Sequence, residues 1–224
     1  MNAKLLGQKI ARTFREDGLR AIFRQASLYL RKKRTTDDFD ALYGTDTGGF
    51  EPLWKFQIHS PHARFGTHYK VTGEHELLNA LNCLCEELSP FTFIDLGCGK
   101  GRTLLVASRL GFRRVIGVEF ASELAAIARA NLSRMKVANA FVLDCDAADF
   151  DFPDDPIVLY LYNPFSQEVM RKVVANLRQS RSQRIFVIYK NPRVAGVIFD
   201  SSGFLTRFGS LLTSSNIQIW RRKP

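Results

Sequence analysis

The sequence lacks the features that would place it among membrane proteins or disulfide-rich secreted proteins. Its 224 residues contain no apolar run near the roughly 18 residues of a membrane-spanning helix. It has four cysteines, which include no CxxC pair and no metal-ligand spacing: Cys83, Cys85, Cys98 and Cys145. The first two are too close for an easy disulfide. We therefore expect no metal site and a reducing, cytoplasmic setting.

Most of the chain also lacks an excess of charge of either sign. The net charge of +10 is carried largely by residues 1–34, which hold ten basic and two acidic residues, while the other 190 hold 22 basic and 20 acidic residues. The high isoelectric point therefore reports on the first segment and says little about an active site. An enzyme that acts on nucleic acid would be expected to surround its pocket with basic and aromatic residues.

The basic first segment has apolar residues at helical spacing, in two stripes separated by Gly18. Three interpretations remain open. The first is docking on the rest of the protein, and the second is a peripheral anchor on an anionic membrane surface. The third groups contact with nucleic acid or an acidic partner with a removed organellar presequence. We favour docking for the second stripe and a mobile, lipid- or partner-seeking first stripe. The two stripes consist of Leu6, Ile10 and Phe14, and of Leu19, Ile22, Phe23, Ala26 and Leu30.

The remainder divides into two parts. Residues 35–89 begin with an irregular stretch rich in Gly, Thr, Asp and His, typical of a functional loop or lid, and continue into helical spacing over 74–88. Strand and helix patterns alternate from residue 91, with helices over 101–110, 121–134 and 166–179. We therefore expect residues 90–224 to form an α/β domain with a doubly wound, mostly parallel seven-stranded sheet and helices on both faces. Residues 1–34 are expected to form a helical extension.

The strongest functional pattern is a glycine-rich loop that follows a hydrophobic strand and opens a helix. Glycine allows turn conformations closed to other residues and lets a ligand approach the backbone. An acidic residue, Glu119, ends the next strand, where a carboxylate can bind ribose hydroxyls, and Asp146 follows the third strand. The loop residues are Asp95, Leu96, Gly97, Cys98, Gly99, Lys100 and Gly101. A dinucleotide-binding loop would carry a glycine where Arg102 stands, which argues against NAD.

These segments, "FIDLGCGKGR", "VIGVEF", "DCDA" and "YLYNPF", resemble in order and spacing the class I S-adenosylmethionine-dependent methyltransferases. The resemblance covers about residues 90–224 and implies S-adenosyl-L-methionine as cofactor. It implies that Gly97 and Gly99 lie beside the methionine part, with Asp95 near its amino group, that Glu119 lies on the ribose, and that Asp146 with Ala147 lies at the adenine. Four further residues are expected to bind the cofactor: Cys98, Gly101, Phe120 and Asn163. The family often has Gly before Asp146, where this chain has Cys145. A weaker resemblance in the lid suggests that Tyr69 and Thr72 cover the cofactor.

The fourth strand ends in an amide, a proline and a ring: Asn163, Pro164 and Phe165. This resembles the Asn/Asp-Pro-Pro-Tyr/Phe motif of methyltransferases that act on amino nitrogens, with one proline fewer. The resemblance implies that Asn163 and the Pro164 carbonyl accept hydrogen bonds from the target amine and that Phe165 stacks on it. Tyr162 and Phe165 offer aromatic faces to a cationic transition state. The alternative is that Asn163 caps the helix that follows.

The sequence thus predicts an S-adenosylmethionine-dependent methyltransferase whose acceptor is a nitrogen of a protein side chain or a small amine. Three alternatives stay open. The first is a nucleic-acid amino methyltransferase, which the nearly neutral catalytic region disfavours. The second is an NAD-dependent oxidoreductase, which the glycine spacing disfavours. The third is a non-catalytic adaptor that binds the cofactor and works through its basic N-terminus, because a fold alone does not fix an activity.

Overall fold

The structure is a computed structural model of the whole chain. The described residues are 7, 11, 38–51, 55, 56, 58, 69–162, 165–192, 196–211 and 216–224. Apart from Gly7 and Ala11, the predicted extension over 1–34 lies outside them, and so do Asn163 and Pro164.

The described strands form one small sheet and one large sheet. Two short strands, β1 (Phe50–Glu51) and β2 (Tyr69–Lys70), pair antiparallel ahead of the main domain. The large sheet has seven strands in the order β5-β4-β3-β6-β7-β9-β8; the pairs that involve β9 are antiparallel and the other pairs are parallel. Its strands are β3 (Thr92–Leu96), β4 (Arg114–Glu119), β5 (Ala140–Asp144), β6 (Ile157–Tyr162), β7 (Ile185–Lys190), β8 (Leu205–Leu211) and β9 (Ile217–Arg222). The predicted mostly parallel, seven-stranded sheet is confirmed.

Helices cover both faces of this sheet, as predicted. The described helices are α1 (Asp38–Tyr43), α2 (Glu74–Asn82), α3 (Arg102–Ala107), α4 (Ser122–Arg134), α5 (Gln167–Gln179) and α6 (Gly196–Asp200). Buried residues of α2, α3 and α4 share one hydrophobic cluster, which also contains Phe39 of α1. Buried residues of α5 and α6 share a second cluster on the opposite face. The central strands are apolar almost throughout because both of their faces are buried.

Two helices end earlier than their sequence patterns predict. The pattern over 74–88 predicts a longer helix than α2, which ends at Asn82 because Cys85 adopts a positive φ of 53° and the chain turns so that Leu84 is buried. The pattern over 101–110 likewise exceeds α3, since the chain tightens into turns after Ala107 and reverses at Gly111, whose φ is 80°. The apolar spacing in the sequence continues past the ends of α2 and α3 because the turns that follow these helices still bury side chains in the core.

The strand order positions the site. Strand β3 lies between β4, which follows it in the chain, and β6, so the order of connections reverses between β3 and β6. Ligands of open α/β sheets bind beyond the carboxyl ends of the strands at such a reversal. The glycine-rich loop leaves β3 at that point. Among the described residues, no helix is long and apolar enough to cross a membrane.

Candidate cofactor and acceptor site

The glycine-rich loop after β3 makes a tight turn against the end of β4. Gly97, Gly99 and Gly101 all have positive φ values, of 85°, 54° and 85°, which L side chains rarely adopt. The backbone N–H groups of Gly97 and Cys98 donate to the carbonyl of Val118, at 2.8 and 3.1 Å. The loop therefore lies directly beside the carboxyl end of β4, where Glu119 stands.

Glu119 ties the loop to the start of α4. Its carboxylate accepts hydrogen bonds from the N–H groups of Gly99 at 2.9 Å and Ala121 at 3.0 Å. The side chain is buried, and burial raises its pKa to about 7 against the lowering effect of the backbone donors. The sequence predicts that this carboxylate holds ribose hydroxyls. In this structure it holds the loop, and binding a ribose would require it to share or exchange these donors.

Asp95, the last polar residue before the loop, is buried at the inner end of the site. Thr103 of α3 donates a hydrogen bond to its carboxylate. Burial raises the pKa of Asp95 to about 7, the Thr103 bond lowers it, and the nearby Glu119 raises it further. Two buried carboxylates close together are unusual outside functional sites, because each costs desolvation energy unless a partner compensates for it.

Tyr69 lies over the glycine loop. A Cβ atom at Gly99 would stand 2.2 Å from two carbons of the Tyr69 ring, so the ring packs on the loop where only glycine fits. The Tyr69 hydroxyl donates to the carbonyl of Thr47, and the ring is buried. The structure therefore brings the predicted lid residue Tyr69 into contact with the predicted cofactor loop.

A charged network joins the segment after α1 to the same loop. Lys100 donates to Asp46 at 2.8 Å, and Arg102 donates to the Thr47 hydroxyl at 2.7 Å and lies 3.5 Å from Asp40. Burial would raise the pKa of Asp40, but hydrogen bonds from Thr47, Thr45 and Gly48 outweigh it and hold that pKa below its usual value. The segment containing Asp40, Asp46 and Thr47 is thus fastened over the start of α3.

The carboxyl ends of β6 and β7 form the other side of the site. The Tyr160 hydroxyl and the Thr72 hydroxyl are 2.8 Å apart, so the second predicted lid residue also contacts the sheet. The Lys190 ammonium lies 4.2 Å from the centre of the Tyr162 ring and 2.5 Å from a carboxylate oxygen of Glu76. Burial raises the pKa of Tyr162, and the nearby charge of Glu76 raises it further. A hydrogen bond with Asn191 lowers this pKa but does not cancel the rise.

The remaining predicted residues lie at the margins of this site. Asp146 follows β5, and its carboxylate accepts from the Ala148 N–H at 2.8 Å, which begins a 3-10 turn over Ala147–Asp149. Phe120 is half-buried beside the cluster that contains Tyr69, and Phe165 is half-buried against the α5 and α6 cluster. The predicted roles of Asn163 and Pro164 concern residues outside the described part of the chain.

A small cavity is shared by the loop, the lid and β6. Its volume is about 20 Å³, against about 300–1,000 Å³ for most small-molecule sites. Its lining includes Asp95, Gly97, Tyr69, Thr72 and Tyr162. These groups fit S-adenosylmethionine chemically. Carboxylates can accept hydrogen bonds from its hydroxyl and ammonium groups, and the glycine loop lets it approach the backbone. The Tyr69 ring takes up space above that loop, so we expect the lid residues to shift when the cofactor enters.

The sheet order and the helices on both faces define a Rossmann-like fold, and the predicted cofactor loop lies at the carboxyl end of β3. Residues 93–181 match a family model described as a methyltransferase domain. Residues 93–181 therefore form a methyltransferase domain, and the predictions of a methyltransferase and of S-adenosyl-L-methionine as its cofactor are confirmed. None of the curated protein sequences compared with the chain matches it.

Solved structures share the fold at low sequence identity. A putative RNA methyltransferase from Pyrococcus horikoshii has a TM-score of 0.55 at 22% identity, over 75% of this chain and 90% of that one. A ribosomal protein L11 methylase from Lactobacillus delbrueckii subsp. bulgaricus has a TM-score of 0.51 at 17% identity, over 67% and 80%. A mutant of MtNAS in complex with S-adenosylmethionine has a TM-score of 0.51 at 20% identity, over 67% and 62%.

Sequence reasoning missed several residues that build the site. Lys100 and Arg102 lie directly beside the predicted glycines in the sequence. Their positive charges next to that loop were the signal that could have identified them. Their partners Asp40 and Asp46 lie more than 50 residues away in the chain, and no local pattern connects them. The pair of Glu76 and Lys190 spans 114 residues and is equally invisible to sequence periodicity.

Proposed function

We propose that this methyltransferase transfers the methyl group to an amino nitrogen of a protein side chain or a small amine. The observation that carries the proposal is the shared cavity, where candidate cofactor residues of the glycine loop meet Tyr160 and Tyr162 of β6. An acceptor placed by the residues that follow β6 would stand next to the cofactor loop, because Leu96 and Leu161 are register partners in adjacent parallel strands.

The surroundings of Tyr162 support a cationic reaction centre. An ammonium, that of Lys190, already lies 4.2 Å from the centre of its ring. Aromatic faces attract cations, and S-adenosylmethionine supplies a methyl group bound to a positively charged sulfur. The ring of Tyr162 is therefore suited to a site where a cationic cofactor meets an amine.

The sequence after Tyr162 supplies the acceptor chemistry in this proposal. The side-chain oxygen of Asn163 and the carbonyl of Pro164 hold the N–H groups of the amine, so that its lone pair points at the methyl group. Alignment of the reacting atoms accounts for much of the rate in such displacements. The amine loses a proton in forming the methylated product, and the Glu76 carboxylate, which pairs with Lys190 near Tyr162, is an acidic group at this end of β6 and β7 that can accept it.

Nucleic acid is the second candidate for the acceptor. One structural neighbour is described as a putative RNA methyltransferase, whereas another is described as a methylase of ribosomal protein L11. Both likenesses are below 25% identity and concern the fold. The near-neutral charge of residues 35–224 favours a protein or small amine over a polyanion.

The experiment is methyl transfer from labelled cofactor to a fractionated cell lysate, with the wild type and the Asn163→Ala variant. We expect label in the protein or small-molecule fraction, and much less with Asn163→Ala, while both proteins bind S-adenosylhomocysteine with similar affinity. Label in nucleic acid would overturn the proposed acceptor class. Absence of transfer to any fraction would favour the non-catalytic adaptor, and an equal loss of cofactor affinity or a collapse in Tm would favour the helix-cap role of Asn163.

A further inference from the structure

The large sheet leaves an apolar surface uncovered at its β5 edge. Phe141 is 54% exposed and Leu143 is 42% exposed, and the half-buried Ile116 of β4 is the register partner of Phe141. We call these three residues the β5 surface. Their neighbours Ala140 and Val142 point to the other face of the sheet and are buried beneath α4. Neighbouring exposed apolar side chains of this size can form a contact surface.

The surface is open because the connection from β5 to β6 is short. A strand in such a sheet is usually followed by a helix that covers one face before the next parallel strand. After β5 the described chain forms only the 3-10 turn Ala147–Asp149, which packs against α5 through Asn176. No described helix therefore covers the part of this face formed by β4 and β5.

The connection that follows β5 is strongly acidic. Residues 144–155 contain six aspartates and no basic residue. Asp155 pairs with Arg113 and Arg114, and Asp154 pairs weakly with Arg181. Three further aspartates are exposed and form no ion pair with a described side chain: Asp144, Asp149 and Asp151. An apolar surface whose strand leads into an acidic connection fits an apolar and basic partner.

We propose that the β5 surface is the docking site of the chain's own basic N-terminal segment. Residues 1–34 hold ten basic residues and two acidic residues, and the second apolar stripe, from Leu19 to Leu30, has the spacing of one helix face. Apolar side chains of that stripe cover Phe141 and Leu143, and arginines beside them face the aspartates of residues 144–155. The segment thereby takes the place of the helix that the β5–β6 connection lacks.

The segment is long enough to reach this surface. The described chain begins again at Asp38, in α1, whose Phe39 packs on the opposite face of the sheet. The second stripe ends at Leu30, so residues 31–37 join it to Asp38, and an extended chain of seven residues spans about 25 Å. The radius of gyration of a domain of some 190 residues is about 16 Å. The segment can therefore pass around the β5 edge from one face to the other.

A second groove offers a rival location and is less suitable. It lies between α5 and α6, has a volume of about 540 Å³, and is lined partly by Val174 and by Val197, which is 70% exposed. However, Arg171 and Arg178 also line it. A segment with a net charge of +8 would be repelled there and attracted to the six aspartates of residues 144–155, which begin at the end of β5.

Hydrogen exchange on the full-length protein tests the proposal. In the wild type without lipid, we expect amides of residues 19–30 to exchange at least about tenfold more slowly than in an unstructured peptide. The double variant Phe141→Ser and Leu143→Ser should remove most of this protection. Val197→Ser, at a still more exposed apolar position in the rival groove, should leave it unchanged. Raising the salt concentration should weaken the protection, because the aspartates contribute to binding.

The other outcomes would each overturn the proposal. Protection lost in Val197→Ser but kept in the double variant would place the segment in the groove between α5 and α6. Protection that appears only with anionic vesicles would make the segment a membrane anchor, and protection that depends on protein concentration would indicate a second copy. Unchanged exchange in β6 (Ile157–Tyr162) shows that the variants remain folded, and loss of protection there in the double variant would mean that Phe141 and Leu143 serve the core.

Discussion

Replacing Gly99 with alanine tests how closely Tyr69 packs on the cofactor loop. The added Cβ would stand 2.2 Å from two ring carbons of Tyr69, and Gly99 has a φ of 54°. An alanine in the left-handed region costs about 1–2 kcal/mol. The ring is buried and its hydroxyl donates to Thr47, so it cannot turn aside without losing packing and a hydrogen bond. Displacing a buried aromatic ring adds up to about 3 kcal/mol.

We therefore expect Gly99→Ala to lower the free energy of unfolding by up to about 5 kcal/mol. Gly111→Ala is the matched control, because Gly111 also has a positive φ, 80°, but nothing lies within 4 Å of its added Cβ. It should cost only the conformational strain, about 1–2 kcal/mol. Denaturant unfolding of both variants, in the wild type and in a Tyr69→Ala background, measures the two contributions separately.

In the Tyr69→Ala background the cost of Gly99→Ala should fall to that of Gly111→Ala, because the ring that it strikes is gone. The cost of Gly111→Ala should be the same in both backgrounds. If Gly99→Ala cost the same with and without the Tyr69 ring, Tyr69 would not pack on the loop, and the lid that we describe would be wrong.

Two further predictions concern the buried carboxylates. Glu119→Gln places an amide N–H donor against one of the backbone N–H groups of Gly99 and Ala121, which the carboxylate accepts in the wild type. Calorimetry should therefore show S-adenosylhomocysteine binding weakened by about 1–3 kcal/mol. The control Asp144→Asn, at the register partner of Glu119, should leave this binding unchanged. Burial raises the pKa values of Asp95 and Glu119 to about 7, from about 4 when unfolded, so their contribution to stability is present at low pH and is lost as pH rises through 7. Melting curves between pH 5 and 8 should show a smaller loss in Glu119→Gln, and equal curves would contradict the raised pKa of Glu119.

Much of the fold could be predicted from the sequence because its strands carry strong local signals. Strands β3, β6 and β7 are buried on both faces, so each appears as an apolar run bounded by polar or turn residues. The glycines of the loop were informative for a similar reason, since the positive φ values at Gly97, Gly99 and Gly101 exclude most other residues. Patterns of this kind depend on neighbours in the chain and can be read without the fold.

The parts that escaped prediction depend on contacts between distant segments. The ends of α2 and α3 fall where Leu84 and the turn at Gly111 meet the core, although the apolar spacing continues. The pairing of Arg102 with Asp40 follows from how α1 packs and has no counterpart in local spacing. The use of Glu119 to hold the Gly99 N–H could not be foreseen either, because the same carboxylate was expected to face a ribose.

The most direct test of the central claim is a titration of the purified protein with S-adenosylmethionine, S-adenosylhomocysteine and NAD. Asp95, the glycine loop and Glu119 predict that both sulfur compounds bind at one site per chain and compete with each other, and that NAD gives no binding heat. Binding of NAD without binding of S-adenosylhomocysteine would contradict the account.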